Sequence, residues 1–207
     1  MIATATECGP DLAPEQALEA LAARLGRDRT VAAAQVASPQ TPPALGVLAA
    51  GGPRAASDPG RYSLLTEAVY EGYLLHHSTS RLLRAADPDL ALLAGDYLYA
   101  LGIAWLAPLG DEAAVVELGD LISLAAQIHA DGRSGAARSL WLASACAIGC
   151  GATPSTEAAK RALREGDPAA EALLREAAAD LAERHGLSGL LAETTKAIEF
   201  RAPDSQG

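Results

Sequence analysis

Strand-forming and ring-bearing residues are scarce in this chain of 207 residues. It has 6 Ile and 6 Val against 48 Ala and 31 Leu, with one Phe, two Trp and five Tyr. Ala and Leu favour helices and β-branched residues favour strands, so the composition excludes a sheet-based fold and predicts an all-α one. So few aromatics leave little for base stacking, and a net charge of −10 repels a phosphate backbone, so no nucleic-acid partner is expected. Cysteine is nearly absent too: Cys8, Cys146 and Cys150 make an odd number with no CxxC pair. Cys146 and Cys150 are four apart and share a helix face, where packing among small residues is expected rather than half a metal site. Met1 to Gly9 lacks a basic start and an apolar run, so a cytoplasmic location is expected. Leu90 to Leu109 has the length of a bilayer span, yet contains Asp96 and is flanked by Asp87, Asp89 and Asp111 instead of basic anchors. It reads as a helix of a protein core, and no transmembrane segment is expected.

Proline and glycine divide the chain. Residues 1–59 hold a short helical stretch from Pro14 to Leu25, then Pro39, Pro42, Pro43, Gly51, Gly52, Pro53 and Pro59, and read as a partly disordered Pro/Gly/Ala-rich arm. Residues 60–201 read as an all-helical domain, and 202–207 as a polar tail. Helices are predicted over about Arg61 to Ala85, Pro88 to Ala107, Asp111 to Ala130 and Arg133 to Ile148. Three shorter ones follow, the first capped by Thr153 or Ser155, the next bounded by Gly166 and Gly186, and the last running from Leu187 to Phe200. The second is apolar nearly all round and is expected at the centre. The third has Val115, Leu118, Leu121, Ile122, Leu124 and Ile128 on an apolar face and Glu117, Asp120, Gln127 and Asp131 in a polar stripe. In the sixth, Leu173, Leu174 and Leu181 are expected to face inward.

Basic residues are missing where acids are densest. Between Arg84 and Arg133 there is no Lys or Arg but eight acids: Asp87, Asp89, Asp96, Asp111, Glu112, Glu117, Asp120 and Asp131. A phosphorylated ligand there requires Mg²⁺ bridged by carboxylates on one helical turn, as in DDxxD, and the chain has no such cluster. P-loop, GxGxxG and GxSxG motifs are absent as well. His76, His77 and His129, with Glu71 or Asp131, are the remaining candidates for a metal site, but the Glu-x-x-His spacing of di-iron bundles is missing and ordinary helix histidines are the simpler reading. Asp96 is expected to be buried, bonding a neighbouring helix end or a Tyr hydroxyl.

The run Leu93-Ala94-Gly95-Asp96-Tyr97-Leu98, within ALLAGDYLYALGIAWLA, resembles the LAGDYL helix of trans-prenyl diphosphate synthases. It is most similar to the non-catalytic small subunit (component I) of heptaprenyl diphosphate synthase. In the catalytic family a helix reading L-I-H-D-D-x-x-D precedes that motif. Here the comparable stretch is Leu74-Leu75-His76-His77-Ser78-Thr79-Ser80-Arg81, so His77, Ser78 and Arg81 stand where the three Mg²⁺-binding carboxylates would be. The basic diphosphate-gripping loop and the second Asp-rich motif have no counterpart. The resemblance covers about Leu64 to Gly132. It implies a helical bundle similar to a trimmed isoprenoid-synthase fold, without catalytic residues or a metal of its own, Mg²⁺ belonging to the catalytic partner. The implied role is to pair with a catalytic prenyl synthase and help set how long its product, a menaquinone side-chain precursor, grows. Residues expected to line the substrate tail or the interface are Tyr73, His77, Leu93, Asp96, Tyr97, Tyr99, Ala100, Gly102 and Trp105. Tyr99 or Trp105 is the expected wall, and Phe in place of Ala100 or Gly102 is expected to shorten the product.

Two other readings stand beside this one. The chain is then a helical interaction or scaffolding module unrelated to prenyl transfer, or a metal-dependent enzyme using His76, His77 and His129. So much apolar helix in a short chain predicts a surface covered by a partner, either a catalytic subunit or a second copy.

Overall fold

The computed structural model describes residues 12–28, 35–84 and 87–198. Among these are nine α-helices: α1 (Ala17–Arg27), α2 (Ala44–Ala50), α3 (Pro59–His77), α4 (Pro88–Leu106), α5 (Glu112–Ala130), α6 (Ala137–Cys150), α7 (Pro154–Glu165), α8 (Ala170–Arg184) and α9 (Ser188–Ala197). The single sheet among them is a two-residue pairing, β1 (Gln35–Val36) antiparallel to β2 (Leu83–Arg84), with Gln35 opposite Arg84 and Val36 opposite Leu83. The chain is an all-α helical bundle, as its composition predicts.

Helix starts follow the capping rules. Asp58, Asp87 and Asp111 accept backbone N–H groups at the starts of α3, α4 and α5, and Pro59 and Pro88 occupy the first turn, where their missing N–H costs nothing. Thr153 and Thr156 form a reciprocal capping box on α7. At two stops, Gly110 (φ +63°) and Gly166 (φ +77°) take the left-handed conformation that closes a helix end.

Three expectations are corrected. First, the part of residues 1–59 that is described is not an arm. Leu18, Leu21 and Leu25 of α1 and Leu45, Leu48 and Ala49 of α2 are 0–1% exposed and belong to the same core as α3 and α6. The prolines mark first turns, Pro14 and Pro53 opening 3₁₀ turns and Pro43 preceding α2, instead of breaking structure. Residues 1–11, the 202–207 tail and Phe200 lie outside the described residues. Second, α3 stops at His77 and not near Ala85. The Glu71 carboxylate accepts from Ser80 Oγ (2.5 Å) and from the N–H groups of Arg81 (3.1 Å) and Leu82 (3.3 Å), donors that a continuing helix would have used. Third, the central helices are α3, buried from Tyr62 to Leu74, and α6, buried from Ser139 to Gly149, whereas α4 is covered on one side only.

Close backbone approach explains how α3 and α4 pack. A Cβ on Gly72 would lie 2.9 Å from Gly95 O and 2.8 Å from a Tyr99 ring carbon, and one on Gly102 would strike Val69 and come 3.1 Å from Leu65 O. Without those side chains the two helices lie against each other along most of their length. Polar struts tie the rest. Lys160 of α7, 1% exposed, pairs with Glu117 of α5, and Arg164 with Asp120. Gln127 donates to Arg164 O (3.0 Å), so the polar stripe of α5 is the seam against α7.

Candidate functional site

α3 supplies the chemistry-bearing residues, and its neighbours decide what each one meets. Glu67 and Glu71 stand one helical turn apart and are 0% exposed. Arg81 reaches back from the loop after α3, with Nε 2.5 Å from Glu71 Oε1 and Nη2 2.5 Å from Glu67 Oε2. Its guanidinium also lies over the Tyr70 ring, 4.9 Å from the centroid. Burial opposes its charge, but the two carboxylates overrule that and hold the guanidinium above its ordinary pKa. Glu67 accepts from Gly46 N (2.7 Å) as well, so the pair joins α2, α3 and the loop. Every one of the four carboxylate oxygens has a donor.

One turn further on lies a ring cluster. His77 and His129 stack at 3.9 Å between centroids, 6° from parallel, and the Tyr73 hydroxyl shares a 2.9 Å hydrogen bond with His129 Nε2. His76 stacks on Tyr99 at 5.2 Å. Its Nε2 is 3.2 Å from Asp96 Oδ1 but off the hydrogen-bonding direction. Burial, then the His129 and His76 charges, lower the His77 pKa to about 4, and burial lowers that of His129, so both rings are neutral near pH 7. Burial also pushes the Tyr73 hydroxyl up. Neutral stacked rings fit a packed joint between α3 and α5.

The nine residues singled out by sequence fall into four places. Tyr73, His77 and Tyr99 belong to the ring cluster, with Asp96 at its edge. Asp96 is not buried, its side chain being 72% exposed. Tyr97 and Trp105 turn to α1 instead: the Tyr97 hydroxyl donates to Asp28, and Arg24 lies over the Trp105 ring at 5.6 Å. Gly102 is pressed against α3. Leu93 (66% exposed) and Ala100 are on the bare outer side of α4. Trp105 and Gly102 therefore do not share a face with Leu93 and Ala100.

Sequence reading missed the Glu67–Arg81–Glu71 strut. Its signal was present in part: Glu67 and Glu71 are four residues apart and share a helix face, with Leu64, Ala68 and Leu74 close by in sequence. It also missed Leu92 and Val116, and it placed Val115 and Leu173 inward. Those four and Leu93 are the large hydrophobic side chains left exposed among the described residues.

Mg²⁺ does not fit the positions at which the resemblance would put it. His77 is stacked on His129 and Arg81 is held by two glutamates. Among the described residues no three His, Cys, Asp or Glu side chains are grouped to hold an ion. Cys146 and Cys150 share a face as expected, and burial, then the Cys150 charge, pushes the Cys146 thiol up to about 12, so it stays protonated. Two helical stretches, Pro88–Leu109 and Glu112–Ala130, are long and apolar enough to cross a membrane, with 39% of each apolar window buried. A mostly buried core helix passes the same test of length and composition, but less than half of each of these windows is buried. No family model, curated protein or solved structure matches the chain.

Proposed function

We propose that this chain is a non-catalytic subunit of a long-chain polyprenyl diphosphate synthase. It binds the catalytic subunit in the cytoplasm and helps set product length. The observation that carries the reading is the state of α4. The helix with the LAGDYL run is held by α3 through Gly95 and Gly102, while Leu93 and Ala100 on its other side are exposed. The carboxylates and imidazoles of α3 are committed to internal bonds, which suits a subunit that leaves chemistry and Mg²⁺ to its partner.

Chain length is then a matter of apolar volume. Each added methylene gains about 0.8 kcal/mol from apolar cover, and elongation stops where the lining closes. On this reading Ala100, with Leu93 one side and Ala104 the other, extends a lining across the interface. Gly102 does not, and Phe there would unpack α3 from α4.

The test is a paired assay: the chain alone, the organism's long-chain prenyl synthase alone, and both together, with an allylic diphosphate, isopentenyl diphosphate and Mg²⁺. Activity or product length that changes only in the mixture supports the reading, and Ala100→Phe is then expected to shorten the product. Absence of a complex and of any effect removes it and leaves an interaction module with another partner.

A further inference from the structure

We infer that the outer side of α4 and α5 is a docking surface for an apolar helix flanked by Lys and Arg. This shares with the reading above only the premise that the chain is a subunit. It names the partner's chemistry, whatever reaction that partner runs.

Four of the five exposed large hydrophobics among the described residues lie on these two helices: Leu92 (46%) and Leu93 (66%) near the start of α4, Val115 (36%) and Val116 (70%) near the start of α5. Further along each helix the exposed positions are small apart from Asp96, with Ala100 and Ala104 on α4 and Gly119, Ser123 and Ala126 on α5. A Cβ on Gly119 would meet nothing within 4 Å. Bulky exposed residues at each helix start, followed by small ones, suit a partner helix lying close along them. Two exposed bulky pairs on consecutive helices of apolar composition point to cover by a partner more than exposed leucines scattered singly would.

Charge selects the occupant. The sequence between Arg84 and Arg133 contains no cation. Of its eight acids, Asp111 is paired with Arg54, Glu117 with Lys160, Asp120 with Arg164 and Asp131 with Arg133. Asp87, Asp89, Asp96 and Glu112 remain exposed on α4, at its cap and at the start of α5, with no Lys or Arg in an ion pair with them among the described residues. A second copy would set this acidic rim against itself, and an anionic bilayer would be repelled by it. A partner helix with an apolar stripe and basic flanks meets both features, and opposite charge speeds its encounter.

The experiment uses the full chain and two synthetic helical peptides sharing one Leu/Ala stripe, flanked by Lys and Arg in one and by Glu in the other. Fluorescence anisotropy is expected to give at least tenfold tighter binding of the basic peptide, weakening as salt rises. Leu93→Asp/Val116→Asp is expected to lose at least tenfold more, with an unchanged melting curve because both positions are exposed. Equal binding of the two peptides, binding of neither, or binding unaffected by the double variant overturns the inference. So does a dimer in sedimentation that Leu93→Asp dissociates, which gives the surface to a second copy. So does flotation of the chain with phosphatidylglycerol vesicles, which gives it to a membrane. A prenyl synthase without effect in the paired assay, beside a basic peptide that binds, refutes the enzyme partner and leaves this surface standing.

Discussion

Replacing Arg81 by Ala leaves Glu67 and Glu71, both 0% exposed and one helical turn apart, without the guanidinium whose nitrogens lie 2.5 Å from an oxygen of each. Removing one member of a buried ionic set costs about 3–5 kcal/mol, because the remaining charge is desolvated and unpaired. For a chain of this size each kcal/mol moves Tm by about 2–4 °C, so a fall of about 6–20 °C at pH 7 is expected. The deficit carries a pH signature. Two unpaired buried carboxylates take up a proton in the folded state more readily than in the unfolded chain, so their folded pKa lies above the unfolded value. Stability of the variant then falls as pH rises through that interval, and its gap from the parent narrows on acidification. Melting followed by circular dichroism at pH 7 and pH 5 reads both effects. Adding Glu67→Gln and Glu71→Gln to the variant is expected to recover part of the loss. A Tm within about 2 °C of the parent at pH 7, or a gap that is the same at both pH values, refutes the strut as the element that holds the loop after α3.

Three further outcomes are expected. Gly102→Ala pushes a methyl group into Val69 and toward Leu65 O, and a loss of about 1–3 kcal/mol in urea unfolding is expected, whereas Gly119→Ala, facing open space, gains up to about 1 kcal/mol from helix propensity. Because the His77 pKa is lowered to about 4 in the fold, its contribution is complete above its ordinary pKa near 6.5 and is lost as pH falls from there to about 4. Discounted for partial exposure the loss is about 1–2 kcal/mol, and His129→Gln is expected to make the urea midpoint vary less steeply with pH in that window. Lys160→Met leaves Glu117 buried and unpaired and is expected to cost about 3–5 kcal/mol by chemical denaturation, most of it recovered in Lys160→Met/Glu117→Leu.

Helix positions were legible because punctuation residues act locally. Pro88 and Pro154 open α4 and α7 where the sequence puts starts, Pro59 opens α3 two residues before the start predicted at Arg61, and the predicted extents of α4 and α5 agree with the structure within two residues. What failed depended on tertiary context. Pro and Gly before residue 60 have the composition of a linker, and only the burial of Leu18, Leu45 and their neighbours reveals short helices between tight turns. An apolar helix looks the same in sequence whether its outer side meets core or solvent, so α4 was expected at the centre and α6, with Arg138 and two serines, was passed over. The candidate residues were legible one by one but not as a set. A 100° step per residue sends Tyr97 and Trp105 toward α1 while Leu93 and Ala100 look outward. Glu67 and Glu71 were readable as a helix pair, but their cation comes from a loop that sequence had assigned to the helix itself.

Thr194 of α9 donates a hydrogen bond to Ala44 O at the start of α2, 150 positions earlier, and α2 packs against α3 and α6 as well. On a ribosome adding about 5–20 residues per second, the segment around Ala44 waits roughly 8–30 s before its last partner is made. Loop closure of that length is entropically costly, so α3 with α4 and α7 with α8 are able to pair early while α2 stays uncovered. Among the described helices α9 is thus the last to cover α2, and chains cut before Ser188 should expose the α2 surface that α9 shields.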